Sequence, residues 1–229
     1  MGRRILKWAL LALLAIAGTA HAGGGPSTSL RTGRVTGTIS LTDVDGKPID
    51  ASGAIVYLVG FTEPAPDAVP TVVQKNKHFV PDFLAITAGQ TISFPNADPI
   101  LHNVFSRSAA RPFDLGSYRR GDTKEKSFPS TGVVEVYCNI HPEMSATILV
   151  LPNRRYAQVG ADGGFAIDGV PPGTWTAFAY ARQASRPTSI KITVTAGADA
   201  TIHLELSRGD AAPHLNKYGE KYRDPAKYR

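Results

Sequence analysis

The chain has one cysteine, Cys138, in 229 residues. A lone thiol cannot close a bridge within its own chain, so no disulfide framework holds this fold together. Methionine is as scarce: Met144 is the only one besides Met1. The histidines include no H-x-H pair, and the chain carries neither a zinc-protease motif nor a phosphate-cradling glycine loop. No Ser–His–Asp grouping can be assigned from residue order. After Gly23, no segment repeats its apolar residues at the 3.6-residue period of an ordinary amphipathic helix. That absence excludes helical and α/β architectures.

Long apolar runs are missing too, with one short exception from Trp8 to Ala17. It is too short to span a bilayer comfortably. Arg3, Arg4 and Lys7 precede it and the small-residue site Ala20-His21-Ala22 follows, so residues 1–22 read as a signal peptide. The expectation is export to the periplasm, cleavage before Gly23, and no stable membrane insertion of the mature chain. The net charge of +6 has the same uneven distribution. Its excess lies in the signal and in a basic tail, 208–229, where Lys217, Lys221, Arg223, Lys227 and Arg229 cluster. The body between them is close to neutral. Without a basic stripe on a folded face, nucleic acid is not an expected partner. Tyr218, Tyr222 and Tyr228 interleave with those charges and read as part of a solvated tail.

What the chain does have is alternation. Residues 23–33 are a Gly/Ser-rich, flexible lead-in. Val35 to Leu41, Ala54 to Val59, Val133 to Cys138 and Thr174 to Tyr180 then alternate as strands, separated by turns such as Asp45-Gly46-Lys47-Pro48 and Ala161-Asp162-Gly163-Gly164. The expected class is all-β. Ile190 to Thr195 and Ala200 to Leu206 look like a closing hairpin around Gly197. In the strand Val133 to Cys138, the period of two puts Val134, Val136 and Cys138 on one face and Glu135 and Tyr137 on the other.

Cys138 opens the run Cys138-Asn139-Ile140-His141-Pro142-Glu143-Met144. Thiolate, imidazole and thioether at C-x-x-H-x-x-M spacing are three parts of a soft metal site. His102 is the upstream candidate for a second imidazole. Two His, one Cys and a weak axial Met make up the ligand set of a blue-copper electron-transfer centre. Thiolate favours copper strongly, and a structural zinc site would ask for a fourth Cys or His instead of a thioether. Pro142 biases His141 towards extended backbone and lacks an amide hydrogen, which stiffens the loop. His78, His203 and His214 have no partner at ligand spacing and receive no role.

Two resemblances follow. Phe94-Pro95-Asn96-Ala97-Asp98, His102-Asn103-Val104 and the Tyr137–Met144 segment resemble the cupredoxins, the plastocyanin and azurin superfamily, with the short ligand loop of amicyanin-like members. The resemblance implies a Greek-key β-sandwich over 72–152 and one copper ion held by His102, Cys138, His141 and Met144. It also implies that Asn103 holds the ligand loop by hydrogen bonds. Val35–Val59 and Ala161–Tyr180 resemble the two halves of a carboxypeptidase-regulatory-like, transthyretin-like β-sandwich. The expected organisation is therefore a cupredoxin domain inserted into a second sandwich built from 34–71 and 153–207. The function this implies is single-electron transfer between transient periplasmic redox partners, without catalysis. Copper storage or delivery, and an envelope interaction scaffold, are the alternatives.

Overall fold

Strands and turns, with no α-helix, make up the part of the chain that the computed structural model describes, residues 31–210 and 214–222. The signal segment, the lead-in up to residue 30 and the tail residues 211–213 and 223–229 lie outside the described residues. The all-β class expected from the alternation is observed.

The chain opens with β1 (Gly33–Thr42), β2 (Pro48–Ile49) and β3 (Ile55–Val59). The middle contains β4 (Val73–Lys75), β5 (His78–Val80), β6 (Phe83–Thr87), β7 (Thr91–Pro95), β8 (His102–Ser106), β9 (Phe113–Tyr118), β10 (Thr123–Ser127), β11 (Gly132–Tyr137) and β12 (Ser145–Leu151). It closes with β13 (Tyr156–Gln158), β14 (Gly164–Val170), β15 (Gly173–Tyr180), β16 (Thr188–Val194) and β17 (Asp199–Ser207).

Strands from the two ends of the chain share one core. The sheet β14-β1-β17, with β2 on β1, and the sheet β13-β3-β15-β16 enclose Val35, Leu41, Leu58, Ile167, Ala177 and Leu206. The middle strands build a second core. The five-stranded sheet β6-β12-β11-β8-β9 and the pairs β10-β7 and β4-β5 bring Phe79, Phe94, Phe128, Val134, Val136 and Ile148 together.

β12 explains how the two cores meet. Six of its seven residues are buried, so it reads as a continuous apolar run because both of its faces are covered. Ile148 and Val150 enter the second core, while Leu149 and Leu151 pack with Ile55 and Ala85 in a small cluster bordered by Tyr57, Phe83 and Tyr180.

The crossing points between the two cores are tied by Asn153, which is fully buried. Its side-chain amide donates to the carbonyls of Leu58 and Phe61, each at 3.0 Å, and its oxygen accepts from the Arg155 amide at 2.9 Å. Asn153→Ala strands these groups, and thermal unfolding should show a loss of about 2–4 kcal/mol.

The closing hairpin around Gly197 does not form. β16 pairs antiparallel with β15, whereas β17 crosses to the other sheet and runs parallel to β1 from Arg34↔Asp199 to Thr42↔Ser207. β1 is ten residues long and has one side free once β14 is in place. That open ladder, distant in sequence, takes β17.

Candidate metal centre

Cys138 follows directly on β11 and continues its inward face, where Val134, Val136 and Cys138 are all fully buried. The residues after it turn back to start β12. The loop is closed by Cys138 N–H to the Met144 carbonyl at 3.2 Å and Met144 N–H to the His141 carbonyl at 3.1 Å. His102 enters from the neighbouring strand β8, which is joined to β11 through Tyr137↔Phe105. Sheet pairing thus brings together residues 36 positions apart or more, as the 39-residue separation of His102 and His141 shows.

His102 Nδ1 lies 3.1 Å from His141 Nδ1, and Cys138 Sγ lies 3.7 Å from the same nitrogen. One donor atom from each of the three residues falls within 4.8 Å of the others. Among the described residues this is the one such group of metal-binding side chains. His102 and Cys138 are buried, and His141 is half-buried. Met144 is fully buried in the same core cluster as Cys138. Asn103 reaches the loop: its oxygen accepts from the Asn139 amide at 3.3 Å, and its nitrogen donates to Asp114 at 2.7 Å.

Asp98, at the end of the Phe94–Asp98 segment, has a role that its place in the sequence did not assign. Its Oδ2 accepts from His102 Nε2 at 2.8 Å. With the proton held on Nε2, the Nδ1 lone pair of His102 is directed at the Cys138 and His141 donors. The carboxylate is in turn held by two backbone amides, Asn76 N–H at 2.6 Å and Lys77 N–H at 2.8 Å. Asn76 and Lys77 have φ of 54° and 58°, the left-handed pair that closes the β4–β5 hairpin and points both amides at Asp98. Burial alone would raise the Asp98 pKa. The Lys77 amide, the His102 ring and the Asn76 amide outweigh it and hold the carboxyl below its ordinary value. Burial, and then the neighbouring His102, lower the pKa of His141, so its ring favours the neutral form a metal needs. The i,i+4 placement of Asp98 before His102 was a usable signal, since ligating imidazoles commonly bond a carboxylate on the far nitrogen.

The tail departs from expectation. Tyr218 is exposed as expected, but the segment 214–222 is anchored on the Cys138–Met144 loop through its half-buried His214, Lys217 and Tyr222. His214 stacks on Tyr137 with ring centroids 4.0 Å apart and planes 14° apart, and its Nε2 donates to the Pro142 carbonyl at 2.7 Å. Tyr222 donates its hydroxyl to the Cys138 carbonyl at 2.7 Å. Nothing in the local sequence marks these partners, because each is more than seventy residues away.

The donor set suits copper. Two imidazole nitrogens and a sulfur converge in a buried place, one imidazole is oriented by a carboxylate, and a thioether lies on the same loop. No family model and no curated protein matches this chain. Its neighbours among solved structures include a purple cupredoxin from Nitrosopumilus maritimus, at 23% identity over 36% of this chain and 99% of that one, with a TM-score of 0.33. A reduced amicyanin variant is similar at 18% identity over 42% of this chain and 98% of that one, TM-score 0.35. A copper-containing nitrite reductase from Thermus scotoductus SA-01 is similar at 25% identity over 48% of this chain and 28% of that one, TM-score 0.35. These likenesses fall on less than half of the chain.

Proposed function

We propose that the protein is a periplasmic blue-copper electron carrier, with His102, Cys138 and His141 as the principal copper ligands and Met144 as the axial one. The observation that carries this reading is the convergence of one sulfur and two imidazole nitrogens within 4.8 Å. Copper bound there supplies one-electron chemistry, because a soft site of this kind accommodates both of its oxidation states. The chain's residues do the rest. Cys138 and His102 sit in a closed core, and Asp98 keeps the His102 tautomer fixed.

His141 is the ligand candidate nearest solvent, and exposed apolar side chains flank the site. Pro99, Ile100 and Leu101 lead into His102, and Ile140 precedes His141; Leu101 and Ile140 are 53% and 46% exposed. A rim of this kind suits small, transient contacts with redox proteins. Pro142, next to His141, is half-buried, and its carbonyl accepts from His214. The signal peptide, the periplasmic location, the transthyretin-like character of the outer sandwich and the absence of catalysis belong to this proposal.

The experiment is Cu(II) titration followed by the electron self-exchange rate. Stoichiometric copper with fast exchange fits a carrier. Bound copper that exchanges no electrons but passes to an acceptor protein moves the function to copper delivery. Met144→Leu preserves side-chain volume, so the fold should change by less than about 1.5 kcal/mol. Loss of the thioether weakens the oxidised state more than the reduced one, and voltammetry should show a raised potential. An unchanged potential would mean that Met144 is not axial.

A further inference from the structure

The tail from His214 to Tyr222 is folded on itself before it reaches the metal loop. The Asn216 side-chain oxygen accepts from the amides of Tyr218 at 2.9 Å and Glu220 at 3.0 Å, and the Asn216 amide bonds the Glu220 carbonyl at 2.8 Å. Gly219, at φ 85°, makes the turn that returns the chain towards Cys138. A tight loop of this kind costs less to dock than a flexible tail, because its ordering is already met locally.

The docked segment bonds the Cys138–Met144 loop at three places along it. Tyr222 Oη donates to the Cys138 carbonyl at 2.7 Å, the Lys217 amide donates to Asn139 Oδ1 at 3.0 Å, and His214 Nε2 donates to the Pro142 carbonyl at 2.7 Å. Lys217 also reaches Asp114 at 2.8 Å, the same carboxylate that holds Asn103. His214 lies flat on Tyr137 and edge-on to Tyr222, whose centroid is 5.2 Å away. Besides this segment, the loop is held by the Asn103 oxygen on the Asn139 amide at 3.3 Å, by the 3.1 Å approach of His102 to His141, and by the burial of Cys138 and Met144 in the core.

We propose that residues 214–222 are an intramolecular strap, and that Tyr222 and His214 are positioning residues that hold the Cys138–Met144 loop in its metal-binding shape. Strapping the backbone on both sides of His141 restricts the movements that would carry Cys138, His141 and Met144 apart. Slow metal release is the consequence, and that consequence rests on the copper reading above.

The test uses the full chain and begins without metal. Tyr222→Phe keeps the ring and removes only the hydroxyl. His214→Phe keeps an aromatic stack on Tyr137 and removes the Nε2 donor. Amide hydrogen exchange at Cys138, Asn139 and Met144 should quicken about five- to tenfold in each variant, while amides of β1 and β15 keep the wild-type rate. Unchanged exchange in the loop overturns the strap, and so does an equal acceleration in β1 and β15, which would mark a general loss of stability. With Cu(I) loaded, transfer to a small-molecule chelator should quicken by a similar factor in both variants, and an unchanged rate would overturn the link from strap to metal retention. A wild-type chain that takes up no copper, with the loop effect still seen in both variants, would sink the copper reading and leave the strap standing.

Discussion

The proposed copper site predicts an intense visible band and narrow copper hyperfine splitting in the Cu(II)-loaded protein, and Cys138→Ala is expected to abolish both. Both signatures need a thiolate bonded to copper, and the chain has no second cysteine to supply one. His102 and His141 would still offer two imidazoles, so weak, pale copper binding with ordinary hyperfine splitting is the expected remainder. The variant should otherwise fold. Cys138 is fully buried beside Val136 and Met144, and alanine removes one atom from that core without adding a polar group. The cost is about 1 kcal/mol, which thermal unfolding of the metal-free protein checks. Serine would be a poorer test, since its hydroxyl would enter an apolar core. If the wild-type protein shows the band and Cys138→Ala retains it, the thiolate is not a ligand.

Asp98→Asn should weaken copper binding about 10- to 100-fold, the usual cost of losing the partner that orients a ligating histidine. The substitution is nearly isosteric, but its chemistry is opposite on one arm. Asp98 receives three donors: the Asn76 and Lys77 amides and His102 Nε2. An asparagine can face them with one oxygen only, so its NH2 is set against at least one N–H. Either a hairpin amide loses its acceptor or the His102 ring does, and in the second case its proton and its lone pair are free to exchange places. Competition titration against a copper chelator measures the affinity. A dissociation constant within twofold of wild type would show that Asp98 does not position His102. The metal-free variant should also lose about 1–3 kcal/mol of stability through the stranded donor.

The legible part of this protein was local. Alternation with a period of two identified the strands, and it correctly set Val134 and Val136 of β11 and the following Cys138 on one buried face. Cys138, His141 and Met144 announced themselves because three unusual side chains share one short loop. His102 could be nominated by its type and its place in the sequence, but only the pairing of β8 with β11 brings its ring to 3.1 Å from His141.

The illegible parts all depend on contacts between distant residues. The Ile190–Thr195 and Ala200–Leu206 segments looked like a hairpin because they are adjacent strands with a glycine turn between them. The free side of β1, more than 160 positions away at its middle, was the competing partner and it won β17. Asp98 acts only because the β4–β5 turn points two amides at it. The tail looked solvated because its composition is charged, yet His214 and Tyr222 find an aromatic face and two backbone carbonyls on the ligand loop.

The sequence by itself determined the all-β class, the inward face of β11 and the set of soft donors on the loop after it. Periodicity and side-chain chemistry are properties of neighbouring residues, so they can be read without a fold. Tertiary structure alone decided which imidazole nitrogen faces the thiol, which carboxylate holds it there and what covers the loop. Hydrogen bonds and ring stacks act over a few ångströms, and only folding brings residues tens of positions apart within that range.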